Sequence, residues 1–313
     1  QKNITKKSVG SFGYGDGGGG VTIGQIERSK RYENMPGMPS AKNTFVADFF
    51  RGTEELSDEL PTFNDELVYE NHRGTFTSQA FIKKNNRRGE FLFRNAEFAN
   101  VLSSTLLGDS YPAEKMEEGW KLLLTNQFHD ILPGTSIHEA MEMTREEYVQ
   151  MNEIGNGLLS AAVEHINTKI NVTTDGIIVW NMNSMPITGT VSVKLPFSVA
   201  GIEDENGNAC RFVKDGDDVM FIAKDVPQMG FKVYKVAKEA AAFDKVVAQK
   251  NLLENAKLRV VLDDNANIDS IYDKVNDREV LTDKGNALSI FQDKPIHESA
   301  WNLELNYQKK RWD

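Results

Sequence analysis

A multidomain α/β, α and β chain is the fold class this sequence predicts, and three observations carry it. A glycine run, Gly15 to Gly20 with Asp16 inside it, leads into short apolar stretches and a helix-like pattern. Apolar residues then recur near a 3.6-residue period to about His165, and from about Asp175 the period drops to two. The chain has 313 residues, too many for one ordinary domain, so two or three units are expected.

Residues 1–70 form the first zone. Thr22 to Glu33 fits a surface helix ended by Asn34 to Pro39, and Asn43 to Phe50 fits either a strand or a short helix. A turn, a strand and a helix in that order are half of a βα unit. Residues 71–170 are helical in pattern. Thr77 to Leu107 places Phe81, Leu92, Ala96, Ala99 and Leu102 on one face, and Gly108-Asp109 ends it. Pro112 suits a first helical position and is followed by Met116, Trp120, Leu123 and Leu124, with Pro133-Gly134 as the stop. Ser136 with Glu139 fits a capping box, and a third helix runs toward His165. Three antiparallel helices with short connections predict a bundle. Phe91, Phe93 and Trp120 are expected in its core, and Lys83, Lys84, Arg87 and Arg88 on one solvated face.

Residues 171–313 predict an antiparallel β-sandwich, incomplete at its end. Ile177 to Trp180, Thr190 to Leu195, Val219 to Ile222 and Phe231 to Tyr234 are strands between turn residues. Leu258 to Leu262 and Ile268 to Tyr272, joined by Asp263-Asp264-Asn265, form a hairpin. Cys210 falls in a turn region and is expected to be inert.

Composition narrows the function classes. The net charge is −10, from 36 Lys+Arg against 46 Asp+Glu, which argues against nucleic-acid and anionic-membrane partners. No run of about 18 apolar residues occurs, so no transmembrane helix is expected. An apolar fraction of 40% and a charged fraction of 26% are those of a globular chain. A single cysteine excludes an intrachain disulfide framework and fits a reducing compartment. Asn3-Ile4-Thr5 and Asn171-Val172-Thr173 match the glycosylation sequon, at about the frequency chance gives. The chain opens on Gln1 with no signal-like stretch and stops after Asp313 with no turn signal, so it is read as an internal segment.

Three segments could carry chemistry. The first is Asn126 to Thr135, where His129 and Asp130 are adjacent just before Pro133-Gly134. Neighbours on a helix diverge by about 100°, but a break there lets both point the same way. Neutral imidazole is the common zinc ligand, and one His with one Asp does not close a site. A helix-terminal His beside a solvated Asp is the alternative. In the second, Gly13 to Gly20, no Gly-Lys-Ser/Thr follows, so this is not a phosphate loop. What it offers is Asp16, a carboxylate among small residues with room for a bulky substrate, as a general acid needs; an acidic turn residue is the alternative. The third is Glu70 to Ser78, dense in polar donors around His72 and Arg73, or else a helix cap with a solvated basic pair.

Taken together these segments resemble the α-mannosidases of glycoside hydrolase family 38, in their cytosolic and bacterial branch. The run Gly15-Asp16-Gly17-Gly18-Gly19-Gly20, then His72-Arg73-Gly74-Thr75-Phe76-Thr77-Ser78-Gln79, then Asn126-Gln127-Phe128-His129-Asp130-Ile131-Leu132-Pro133-Gly134-Thr135 occur in that family's order. Asp273-Lys274, Asp293-Lys294-Pro295 and Ala300-Trp301 are similar to its β domain. The resemblance implies the end of an (α/β) barrel in residues 1–70, a three-helix bundle in 71–170 and the start of a β-sandwich in 171–313. It implies retaining hydrolysis of α-mannosides at a divalent metal, usually zinc, with cobalt or another divalent ion as a substitute. His129 matches a metal-binding histidine and Asp130 a carboxylate that hydrogen-bonds the sugar. Asp16 is the candidate acid/base, and His72 and Arg73 are the further substrate-binding candidates. The family's His-x-Asp pair and nucleophilic Asp have no match here, so this chain alone is expected to be incomplete and inactive. α-Mannoside glycans are the implied partner, a cytoplasmic setting is favoured, and a homo-oligomer is compatible with the reading. Two alternatives stay open: a non-catalytic carbohydrate-binding or structural segment, and a glycosidase for another sugar.

Overall fold

The structure is a computed structural model, and it describes residues 3–15, 19–64, 70–172, 176–195, 199–237, 239, 241–243 and 246–312. The chain divides into two compact units, Gln1–Leu67 and Val68–Asp313.

In the first unit, α1 (Ile23–Tyr32) starts on Thr22. The Thr22 hydroxyl accepts from the Gln25 amide at 3.3 Å, and the Gln25 side chain accepts from the Thr22 amide at 2.8 Å. This reciprocal cap lets so polar a run begin a helix at a defined residue. The stretch that fits both strand and helix is helical, as α2 (Val46–Arg51), and a 3-10 turn follows at Glu54–Glu59. Among the described residues of this unit there is no strand and no fully buried side chain, so the expected turn-strand-helix order is absent from them. A strand without a neighbour leaves its amides and carbonyls unpaired, whereas a helical turn pairs its own. Phe45 and Val46 stand 80% and 62% exposed.

In the second unit, α3 (Ala80–Leu107), α4 (Ala113–Thr125) and α5 (His138–Asn167) share one apolar core. α3 ends on Gly108 in the left-handed conformation at φ 77°. Pro112 caps α4 rather than opening it. Glycines set the register. A Cβ on Gly89 would press on Leu123 and Met151, one on Gly119 would overlap the Phe93 ring, and one on Gly155 would lie 2.6 Å from Leu92. Consecutive helices are therefore antiparallel, and α3 runs parallel to α5. Phe93 is fully buried; Trp120 packs on it at 5.5 Å and donates through Nε1 to Glu97 at 2.8 Å. Phe91 is not in the core: it is exposed, with the Arg87 and Arg94 guanidinium groups 4.5 and 5.3 Å from its ring centroid. At the end of α3, Asp109 accepts from the Ser103 hydroxyl and lies 2.6 Å from His165 Nδ1, which ties α3 to the end of α5.

Strands follow the helices. They are β1 (Gly176–Asn181), β2 (Ile187–Lys194), β3 (Gly201–Glu203), β4 (Ala209–Cys210), β5 (Phe212–Asp215), β6 (Asp218–Val226) and β7 (Gly230–Ala237). All pairings are antiparallel, in two sheets ordered β1-β7-β3-β4 and β2-β6-β5. One core takes alternate side chains from both, among them Ile177, Val179 and Tyr234 from the first and Phe221 and Ala223 from the second. Cys210 lies on a strand rather than in a turn, and burial pushes its thiol pKa up, which fits an inert residue. A further sheet, ordered β12-β11-β10-β9-β8, is built from β8 (Val247–Gln249), β9 (Leu252–Glu254), β10 (Leu258–Leu262), β11 (Ile268–Asp273) and β12 (Arg278–Glu279). The β10–β11 turn closes on Asp263, whose Oδ1 accepts from the amides of Asn265 and Asn267, both at 2.9 Å. Asp204 closes the β3–β4 turn in the same way with Asn206 and Asn208. A last pair is β13 (Ile290–Phe291) with β14 (Arg311–Trp312). Among the described residues no helix lies between 176 and 304, as the change of period predicts. None of the described helices is long and apolar enough to cross a membrane.

Candidate functional site

The turn after α4 carries the His-Asp pair, and the residues before it are anchored from two sides. Asn126 is fully buried and donates to Leu122 O at 2.9 Å and Glu147 Oε2 at 2.8 Å. Gln127 donates to Asn86 Oδ1 at 2.9 Å, and Asn86 donates to Glu90 at 2.9 Å. The turn thus leaves the helix from a base fixed to both α3 and α5. Beyond it Phe128 is exposed, with its ring 4.2 Å from that of His129.

His129 Nε2 lies 3.5 Å from Asp130 Oδ2, and the two side chains are 64% and 45% exposed. The break before Pro133 therefore brings the pair together. Asp130 is held in place: its Oδ1 accepts from the Thr135 hydroxyl at 2.8 Å, and its carbonyl accepts from the Thr135 amide at 3.0 Å and the Ser136 hydroxyl at 2.7 Å. That last bond overturns the expected capping box. Ile137 is the residue that precedes α5, and no side chain caps it. The Ser136 hydroxyl is spent inside the closed turn, on the Asp130 carbonyl.

His72 and Arg73 lie in the 3-10 segment Glu70–Phe76 and are exposed. The segment is docked through its next residue. Gly74 is buried, its amide donates to Trp301 O at 2.7 Å, and a Cβ there would lie 2.9 Å from the Trp301 carbonyl carbon. The Ser78 hydroxyl donates to Ala300 O at 2.7 Å. The same segment meets the His-Asp turn. Gly134 is left-handed at φ 83°, and a Cβ on it would lie 2.6 Å from Ser78 O. Lys83 Nζ donates to Ser78 O and, at 2.7 Å, to Pro133 O. Lys83 is thus half-buried rather than part of a solvated face, and burial pushes its pKa down. The structure brings 72–78, 129–135 and 300–302 together. Asp16 lies outside the described residues.

The pair can supply a carboxylate acceptor and an imidazole beside an exposed ring, a set suited to a hydroxyl-rich ligand. As a metal centre it is partial. Nitrogen and oxygen ligands of a tetrahedral zinc stand about 3.3 Å apart, from bonds of about 2.0–2.1 Å, so the 3.5 Å spacing matches two vertices. Among the described residues no group of three or more His, Cys, Asp or Glu could hold a metal, so the donor count falls short of the four that zinc takes. Sequence reasoning missed Asn86 and Glu90 and did not foresee the anchoring roles of Lys83 and Asn126, since the bonds Lys83–Pro133, Asn126–Glu147 and Gln127–Asn86 join residues distant in the chain and leave no local signal.

Comparison with known proteins gives matches along the chain. A model of the alpha mannosidase middle domain matches residues 70–166, and a model of the glycosyl hydrolases family 38 C-terminal domain matches residues 253–313. Alpha-mannosidase 2C1 of Homo sapiens is 30% identical over 319 residues, covering 96% of this chain and 28% of that protein. The alpha-mannosidase of Saccharomyces cerevisiae is 28% identical over 329 residues, covering 97% of this chain and 26% of that protein. The chain spans about a quarter of the length of these curated relatives. The crystal structure of an alpha-mannosidase from Enterococcus faecalis is similar with a TM-score of 0.56 at 18% identity, covering 83% of this chain and 36% of that one. At that identity the likeness is one of fold.

Proposed function

Because the chain belongs to glycosyl hydrolase family 38, we propose that it forms part of an α-mannosidase, a retaining glycosidase acting on α-mannoside glycans at a divalent metal, zinc first. The observation that supports this most is the 126–135 turn inside the matched middle domain, which fixes Asp130 and presents it with His129 and Phe128. Asp130 accepts hydroxyl hydrogens of the sugar. His129 offers one ligand to the metal, and His72 and Arg73 bind substrate. Asp16 is the acid/base: it protonates the leaving oxygen and then draws a proton from the attacking water. Retention needs a second carboxylate about 5–5.5 Å from the first; no described residue is assigned to it. Among the described residues, His129 and Asp130 alone do not make a complete metal site.

In this reading residues 1–70 are the end of an (α/β) barrel, 71–170 a three-helix bundle and 171–313 the start of a β-sandwich. The cytoplasmic setting comes with the same resemblance, and a homo-oligomer is compatible with it. The test is hydrolysis of an aryl α-mannoside by the protein that carries this chain, before and after chelation, with the product anomer followed by NMR. Turnover that gives the α-anomer first, stops on chelation and returns with zinc supports the reading. No turnover of any α-mannoside, or turnover indifferent to chelation, refutes it. Binding of mannosides without turnover would favour a non-catalytic carbohydrate-binding segment.

A further inference from the structure

The two polar segments nearest the candidate site share one cation. The 72–78 segment ends on the Ser78 carbonyl, and the His-Asp turn ends on the Pro133 carbonyl. Both carbonyls accept from the single ammonium of Lys83, which reaches them from the first turn of α3. The two segments also meet where Gly134 closely approaches Ser78. An ammonium has three donors and no acceptor, so one group can hold two carbonyls at a fixed separation. A charge-assisted hydrogen bond is also about twice as strong as a neutral one.

We propose that Lys83 is a positioning residue that makes the 72–78 segment and the 129–135 turn move as one body, fixing His72 and Arg73 with respect to His129 and Asp130. The idea rests on the proposed function only for its consequence in catalysis; the coupling itself is a property of the chain. Removing the ammonium frees both carbonyls at once. Exchange of the amides behind them then speeds up in both segments, while the helix core, anchored elsewhere, keeps its protection.

The experiment is amide hydrogen exchange on the full chain, comparing the native protein with Lys83→Met and Lys83→Arg. The probes are the Ser78 amide, bonded to Gly74 O at 2.9 Å, and the Thr135 amide, bonded to Asp130 O at 3.0 Å. In Lys83→Met both are expected to exchange about tenfold faster, with Phe93 and Met151 unchanged. Lys83→Arg, whose fork can reach both carbonyls, should restore both. Faster exchange in one segment alone, an equal rise across the core, or failure of Lys83→Arg to restore protection would overturn the proposal. If Lys83→Met does not fold, Lys83→Gln, which keeps a shorter donor, should give an intermediate rise in both segments; no rise overturns it equally. In the α-mannosidase assay Lys83→Met should raise KM more than it lowers kcat, with rescue by Lys83→Arg. A native protein without turnover refutes the functional reading and leaves the exchange result to decide on Lys83.

Discussion

Two glycines allow backbone strain to be separated from crowding at the site. Gly134 and Gly207 have φ of 83° and 82°, the same left-handed conformation. Nothing lies within 4 Å of a Cβ built on Gly207. Gly207→Ala therefore carries only the left-handed penalty, about 1–2 kcal/mol, less the 0.4–1 kcal/mol that alanine gains by restricting the unfolded chain, so roughly 1 kcal/mol net. At Gly134 the new Cβ would lie 2.6 Å from Ser78 O, 2.9 Å from Ser78 C and 3.0 Å from Gln79 Cβ. Ordinary contact begins near 3.4 Å, so a carbonyl already bound to Lys83 would have to retreat by several tenths of an ångström. Overpacking of that kind costs about 1–3 kcal/mol. Gly134→Ala is thus expected to lose about 2–4 kcal/mol, roughly 2 more than Gly207→Ala, which is about 30-fold in the folding equilibrium. Urea unfolding followed by tryptophan fluorescence measures both, and the slopes should agree with the native protein. If the two variants lose the same stability to within about 0.5 kcal/mol, the close approach of the His-Asp turn to Ser78 is not real and the account of the site fails.

Three further predictions follow from separate parts of the chain. The Ser103 hydroxyl, and after it His165, hold the Asp109 carboxyl below its usual range. Its contribution is present above the unfolded value of about 3.9 and is lost as pH falls through the lower folded value, so Asp109→Asn should flatten the acid limb of a stability-against-pH curve and leave no difference below it. Ala266 sits at φ 63° in the Asp263 turn, where the equivalent position of the Asp204 turn is Gly207; Ala266→Gly should stabilise by up to about 1 kcal/mol in the same urea assay, and a loss would show that the turn tolerates the strain. Asp16→Asn should depress turnover strongly on mannosides with poor leaving groups and far less on activated aryl mannosides, and equal losses on both remove Asp16 from the acid role.

How much of this was legible depends on where each residue's partners lie. The helices and the first strands are local objects, so period and end signals locate them: Gly108 ends α3 and Asp263 closes its hairpin where the sequence places them. Phe91 misleads because an apolar residue at helical spacing also serves as a seat for Arg87 and Arg94. The capping box at Ser136 misleads because the turn puts the Asp130 carbonyl within reach of the hydroxyl and starts the helix one residue later. The pairing of His129 with Asp130 could be anticipated from Pro133-Gly134, which are adjacent in sequence. The hold of Ala300 and Trp301 on Ser78 and Gly74 could not, since no periodicity or local signal marks a backbone carbonyl as a distant acceptor.

That hold also dictates a timetable. Ser78 and Ala300 are 222 residues apart, and the Gly74 amide waits on the carbonyl of Trp301. A chain is made from its N-terminus at about 5–20 residues per second. The three helices can therefore assemble from near neighbours while most of the strands do not yet exist, as contacts close in sequence form first. The 72–78 segment is among the earliest parts of this unit to be synthesised and among the last to be seated. For the 10–40 seconds or so that translation of the intervening stretch takes at that rate, the Gly74 amide and the Ser78 hydroxyl lack these two partners, and the segment reaches its final seat only when residues 300–302 arrive.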